Sequence, residues 1–187
     1  MKKRTCLLVV MGLAFMFAAI PGVTEESMYT AFEKACAASS SETATPELVQ
    51  QKVNEACSLL QAKGLEEGFS MLRDPANGFA FAGTYVWVHD MRTVMLMHPI
   101  KKGLEDRNLT GLKDQTGKRF MAQMGLAVMK NGNGWVSYFW PKPGEKKASQ
   151  KVSFAKKCTV NGKDVVVCAG TYDISIDDLE AKGFSVQ

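Results

Sequence analysis

The chain has 187 residues, 46% of them apolar, which is enough for one domain with its own core and too short for two large ones. Its 23 Lys and Arg against 19 Asp and Glu give a net charge of +4, but Lys2, Lys3 and Arg4 stand ahead of an apolar N-terminal run. Without those three the balance is twenty cations against nineteen anions, and no basic excess is left to neutralise a phosphate backbone; nucleic acid is not an expected partner.

Met1-Lys-Lys-Arg, an uncharged stretch over residues 5–23 and then Glu25-Glu26 have the basic, apolar and polar regions of a secretory signal, so residues 1–24 are predicted as a leader and 25–187 as the exported domain. The alternative is an uncleaved membrane anchor, because about 18 apolar residues can span a bilayer and no clean small-x-small cleavage site stands near Ala18 to Gly22. Lipidation is disfavoured, since Cys6 lies at the start of the apolar region. No later segment has the length and apolarity of a span. The expected location is periplasmic or secreted, or, with the anchor retained, the outer face of the inner membrane.

A helix is predicted over residues 27–39, with Met28, Phe32 and Ala35 on one side, followed by a polar loop. Thr45 is a natural N-cap, with Pro46 in the first helical position and Glu47 in the first turn. Val49, Val53, Ala56 and Leu60 then repeat at helical spacing until Gly64 stops the run, and residues 65–72 form a further short helix closed by Asp74-Pro75 and Asn77-Gly78. From Thr84 the period changes to two: Val86 and Val88 share one face, Tyr85, Trp87 and His89 the other, with His89 beside the turn and expected at the surface. Residues 93–98 supply a partner strand. A helix over 117–130 carries Phe120, Met124 and Ala127 in one stripe and ends at Asn131-Gly-Asn-Gly134. Three β runs follow, over 135–140, 151–157 and 164–172. The order implies an α+β domain with helices packed across a five-stranded, mostly antiparallel sheet.

Beyond the leader four cysteines remain, Cys36, Cys57, Cys158 and Cys168, an even number that in an oxidising compartment suggests bridges, with three possible pairings. Asn161-Gly-Lys-Asp164 lies between two β runs, and Cys158 and Cys168 are equidistant from Lys163. A loop over 162–164 would set them face to face, which favours a Cys158–Cys168 bridge and leaves Cys36 to Cys57. The alternative is small buried thiols. A metal centre is not expected, because no CxxC occurs and His89 and His98 are the two histidines.

The succession YVWVHD, TVMLMHP, RNLTGLKDQTGKRF, GNGWVSYFWPKPG, KVSFAKK and GTYD, entered through LRDPANG, resembles the single Cache family over about residues 28–179. The resemblance implies a PAS-like antiparallel sheet crossed by a long N-terminal helix, and an extracytoplasmic domain that senses a small molecule. Such domains usually stand between two membrane spans of a chemoreceptor or sensor kinase. This sequence departs from that pattern by stopping at Gln187 without a second span, which implies action through a membrane partner. It departs also in its last hairpin, where Cys158 and Cys168 replace an aromatic-rich run.

Family members often bind small carboxylates, and burying a carboxylate requires charge-assisted donors. Lys142, in Trp140-Pro-Lys-Pro143, and His98, followed by Pro99, are the candidate donors, each held near a strand end by its proline. Tyr138, Trp140 and Lys142 share a strand face if extension persists through Pro141, and Trp87 can wall off a short aliphatic tail beside Tyr85. Phe120 and Tyr172 complete the expected lining. The plainer reading makes the aromatics core residues, Lys142 a solvated loop lysine and His98 a strand-end cap. The expected partner is a two- to four-carbon monocarboxylate, with no cofactor. An enzyme is disfavoured, because no nucleophile and histidine arrangement and no phosphate-binding Gly loop occurs. A structural interaction protein with a filled core is the remaining class.

Overall fold

The computed structural model describes residues 24–186, and the expected leader lies outside them apart from Thr24. Thr24 caps the first helix, α1 (Glu25–Ala38), its Oγ1 accepting from the Ser27 N–H at 3.2 Å. Thr45 caps α2 (Pro46–Arg73) in the same way through the Leu48 N–H. Gly64 interrupts α2 with φ 76° and ψ 177°, so the predicted pair of helices is a single element broken where a left-handed φ needs glycine.

Strands β1 (Ala80–Phe81), β2 (Thr84–Asp90) and β3 (Met95–Met97) precede α3 (Phe120–Asn131), which is followed by β4 (Asn133–Pro141), β5 (Ala148–Val160), β6 (Lys163–Tyr172) and α4 (Ile176–Ala181). Among the described residues the sheet has six antiparallel strands in the order β1-β2-β6-β5-β4, with β3 also on β2. The sheet is therefore one strand larger than expected, because Ala80 and Phe81 pair back onto Tyr85 and Thr84. The fold is the α+β, PAS-like arrangement.

The sheet's period of two divides the core. On one face Val86, Val88, Phe154, Val165 and Val167 meet the α2 side chains Val49, Val53, Ala56 and Leu60. On the other, Tyr85, Trp87, Val136, Tyr138, Val166 and Cys168 meet Phe32 and Cys36 of α1 and Phe120, Met121, Met124 and Val128 of α3. His89, expected at the surface, is fully buried, its Nδ1 2.8 Å from the Asp90 carbonyl.

The cysteine pairing also differs from expectation. The bridge joins Cys57 of α2 to Cys158 of β5, and Cys36 and Cys168 are buried free thiols. The cause is the hairpin register. Asn161 and Gly162 both have positive φ and make a two-residue turn, so Cys158 pairs with Val165 and Cys168 with Ala155. Cys158 and Cys168 consequently point to opposite faces of the sheet, one with α2 and the other with α1 and α3.

The bridge closes a separation of 101 residues, for which loop-closure entropy contributes about 4.7 kcal/mol. Cys57→Ser/Cys158→Ser should therefore lower Tm by about 10 °C. Alkylation of denatured, unreduced protein beginning at residue 25 should label the two thiols of Cys36 and Cys168; labelling of all four without reductant would contradict the pairing.

Candidate functional site

The second face of the sheet is incompletely filled. A cavity of about 20 Å³ remains between β2 and β4, helix α3 and the loop that leads to it, room for about one water-sized group. Tyr85, Trp87, Tyr138 and Trp140 wall it from the sheet, Met95 and His98 from the end of β3, Leu104, Leu109 and Leu112 from the loop, and Phe120 and Met121 from α3. Phe120 stacks on Tyr138 with ring centroids 4.2 Å apart and takes Trp140 edge-on at 5.6 Å.

Beside this cavity lies the least expected side chain of the core. Lys151 of β5 is 1% exposed, and its Nζ finds no hydrogen-bond partner among the described residues. The ammonium sits over the rings of Tyr85 at 4.3 Å, Tyr172 at 4.6 Å and Trp87 at 4.9 Å, two of which are walls of the cavity. Burial pushes its pKa from the ordinary lysine value down to about 7; the three ring faces favour the charged form and offset part of that cost. The thiols that act on it, Cys36 and Cys168, are themselves raised by burial and stay protonated.

Gly170 gives the lysine its path. It lies opposite Ser153 on β6, and a Cβ there would stand 2.8 Å from the Lys151 Cε and collide with the Ser153 Oγ. A strand glycine at a close approach of this kind is occupied by a neighbour's side chain rather than by its own. The stem of Lys151 crosses the missing side chain to reach β2.

His98 is held by its backbone neighbours. Its Nδ1 accepts from the N–H groups of Ile100 at 3.2 Å and Lys101 at 2.9 Å, so a neutral ring carries its proton on Nε2. Burial, with Lys151 and Lys101 nearby, holds its pKa well below the usual histidine value. His98 is thus a neutral N–H donor rather than the cation anticipated. Glu105 fixes the same segment: its carboxylate accepts from the His98 N–H at 2.7 Å and from Arg73 at 2.6 Å, and the Tyr29 hydroxyl donates to it at 3.4 Å. The cavity rim is thereby tied to α1 and α2.

Of the residues expected to line a pocket, Trp87, His98, Phe120, Tyr138 and Trp140 come together around the cavity. Tyr172 does not line it but covers Lys151, its hydroxyl donating to the Pro141 carbonyl at 2.9 Å. Lys142 is not brought there. Strand β4 ends at Pro141, the chain turns through Gly144 with φ 80°, and Lys142 pairs with Asp173 in a separate open cleft. The buried cation is Lys151, and its signal in the sequence was a lysine opening the β run KVSFAKK, with a glycine inside the last strand to receive it.

The chain matches the family model "Single Cache domain 2" over residues 26–186 and belongs to that family of sensory ligand-binding domains. It is 30% identical over 98 residues to the methyl-accepting chemotaxis protein McpP of Pseudomonas putida, a match covering 52% of this chain and 17% of that much longer protein. Among solved structures it resembles one described as "Structural basis for carboxylic acid recognition by a Cache chemosensory domain", at 28% identity and TM-score 0.55, covering 81% of this chain and all of that one. It shares its fold with a methyl-accepting chemotaxis protein from Vibrio parahaemolyticus, at 20% identity and TM-score 0.56 over 81% of this chain and 98% of that one. No helix among the described residues is long and apolar enough to cross a membrane, and none of their His, Cys, Asp and Glu groupings could hold a metal ion.

A lysine whose folded pKa is depressed holds fewer protons folded than unfolded between about pH 7 and the ordinary lysine range, so the empty protein gains stability as pH rises through that window. Denaturant unfolding at about pH 6 and about pH 9 should show wild type gaining about 3 kcal/mol relative to Lys151→Met. The variant should be the more stable protein at the acid end, since it buries no charge. Equal pH profiles for the two would show that Lys151 does not titrate in the fold.

Proposed function

We propose that this domain is an exported sensor that binds a monocarboxylate of two to four carbons and acts through a membrane partner. The observation that carries the reading is the Lys151 ammonium: fully buried, without a hydrogen-bond acceptor, and in contact with two walls of an aromatic cavity. Burying a cation without an acceptor is costly, and strongly perturbed buried groups of this kind cluster at functional sites. A carboxylate supplies the missing charge and two acceptors, with the Nε2–H of neutral His98 as a second donor. Trp87, Phe120 and Leu109 face the aliphatic end, and the loop tied by Glu105 to α1 and α2 is the part of the rim placed to pass a displacement to the helices. The neighbour described as recognising carboxylic acids supports the ligand class. The cavity is smaller than even a two-carbon acid, so binding requires the rings or the Leu104 to Leu112 loop to yield.

That tightness also favours a second reading, a filled core in which the three rings simply hold Lys151 and the domain works by protein contact alone. Calorimetry with acetate, propionate, lactate and pyruvate separates the two. Micromolar binding of at least one is expected, weakened about a hundredfold in Lys151→Met and unchanged in Lys142→Ala. Absence of heat and of any thermal shift with all four would end the carboxylate reading.

A further inference from the structure

Lys151 Nζ makes no hydrogen bond among the described residues. From α1 it meets Cys36; from β2, Tyr85 and Trp87; from β6, Cys168 and Tyr172; Tyr138 is its pair on β4. His98 and Lys101 add a neutral ring and a second cation from the loop. Glu33, also on α1, is engaged by the Gly144 N–H at 3.0 Å, and no carboxylate is among the groups acting on the lysine. The thiols and phenols are pushed up by burial and remain neutral, so nothing built into this part of the core balances an ammonium.

We propose that the site takes up its carboxylate together with one proton, which comes from solvent and rests on Lys151 Nζ. The inference rests on the carboxylate reading above. In the empty site the amine is free to shed its proton, because the uncharged form removes a buried charge that only π faces oppose. A carboxylate arriving within hydrogen-bond reach stabilises the ammonium and returns the group to the ordinary lysine range or above it. Proton and anion therefore bind with positive coupling, and each raises the affinity for the other by the same factor. The domain then responds to the product of carboxylate and proton activities, reading a weak acid more strongly as its medium acidifies. Burial lowers the Lys151 pKa to about 7, so the proton is exchanged near neutral pH.

Isothermal titration of the wild-type domain with acetate, in pairs of buffers that differ in ionisation enthalpy, measures the protons exchanged. Uptake of about one proton per acetate at about pH 8.5 and close to none at about pH 5.5 is expected, with affinity falling about tenfold per pH unit above about pH 8. Lys151→Gln, which keeps a polar but non-titrating side chain one atom shorter, should bind weakly with no proton uptake and a flat profile. Acetate binding without proton uptake at any pH would overturn the coupling while leaving the carboxylate reading intact. Absence of binding by acetate, and equally by propionate, lactate and pyruvate run in the same buffer pairs, would remove both.

Discussion

The constraint around which this domain is organised is the passage of one lysine through an otherwise apolar core. Lys151 enters from β5, crosses the space left open at Gly170 and ends among the rings of Tyr85, Trp87 and Tyr172. A buried charge of this kind opposes folding, and the surroundings moderate the cost without removing it: π faces favour the ammonium, while burial favours the amine. The result is a side chain poised between its two charge states, and in the proposed reading the occupant of the neighbouring cavity decides between them. Stability and sensing are in tension at this one atom, as they commonly are where a site must remain incomplete until its ligand arrives.

The rest of the fold isolates that tension. Because strand side chains alternate, one face of the sheet is free to be a conventional core, closed by α2 and stapled by the Cys57–Cys158 bridge. The other face carries the aromatics, the lysine and the free thiols under α1 and α3. A two-residue hairpin turn at Asn161 and Gly162 decides which cysteine joins which face. A shift of the register by an odd number of residues would bring both cysteines to the same face of the sheet. The bridge thus stabilises the side of the sheet that does not have to yield.

The rim of the cavity is held differently from its floor. Its floor is sheet, fixed by ladders of backbone hydrogen bonds. Its rim is the segment from His98 to Leu112, whose position depends on Glu105 reaching Arg73 at the end of α2 and Tyr29 on α1. The segment is loop rather than ladder, and in the proposed reading it is the part of the wall that yields to a ligand larger than the cavity.

Most of the secondary structure was legible in the amino-acid order. The caps at Thr45 and Pro46, the break at Gly64 and the alternation of Tyr85, Val86, Trp87 and Val88 each act through neighbours a few residues apart. The family resemblance extended that reading to the sheet and to five of the seven residues expected at a pocket. What the sequence left open depends on contacts between residues distant in the chain. A lysine at the head of a β run looks the same whether its strand ends in solvent or under three rings, and Lys142 beside two prolines was as plausible a cation. Strand register alone distinguishes them, since β5 places Lys151 opposite Tyr138 and Tyr172 while β4 stops before Lys142. The expected Cys158–Cys168 bridge and the expected cationic His98 both missed for the same reason: each depends on which atoms tertiary packing brings within a few ångströms, and local periodicity carries no information about that.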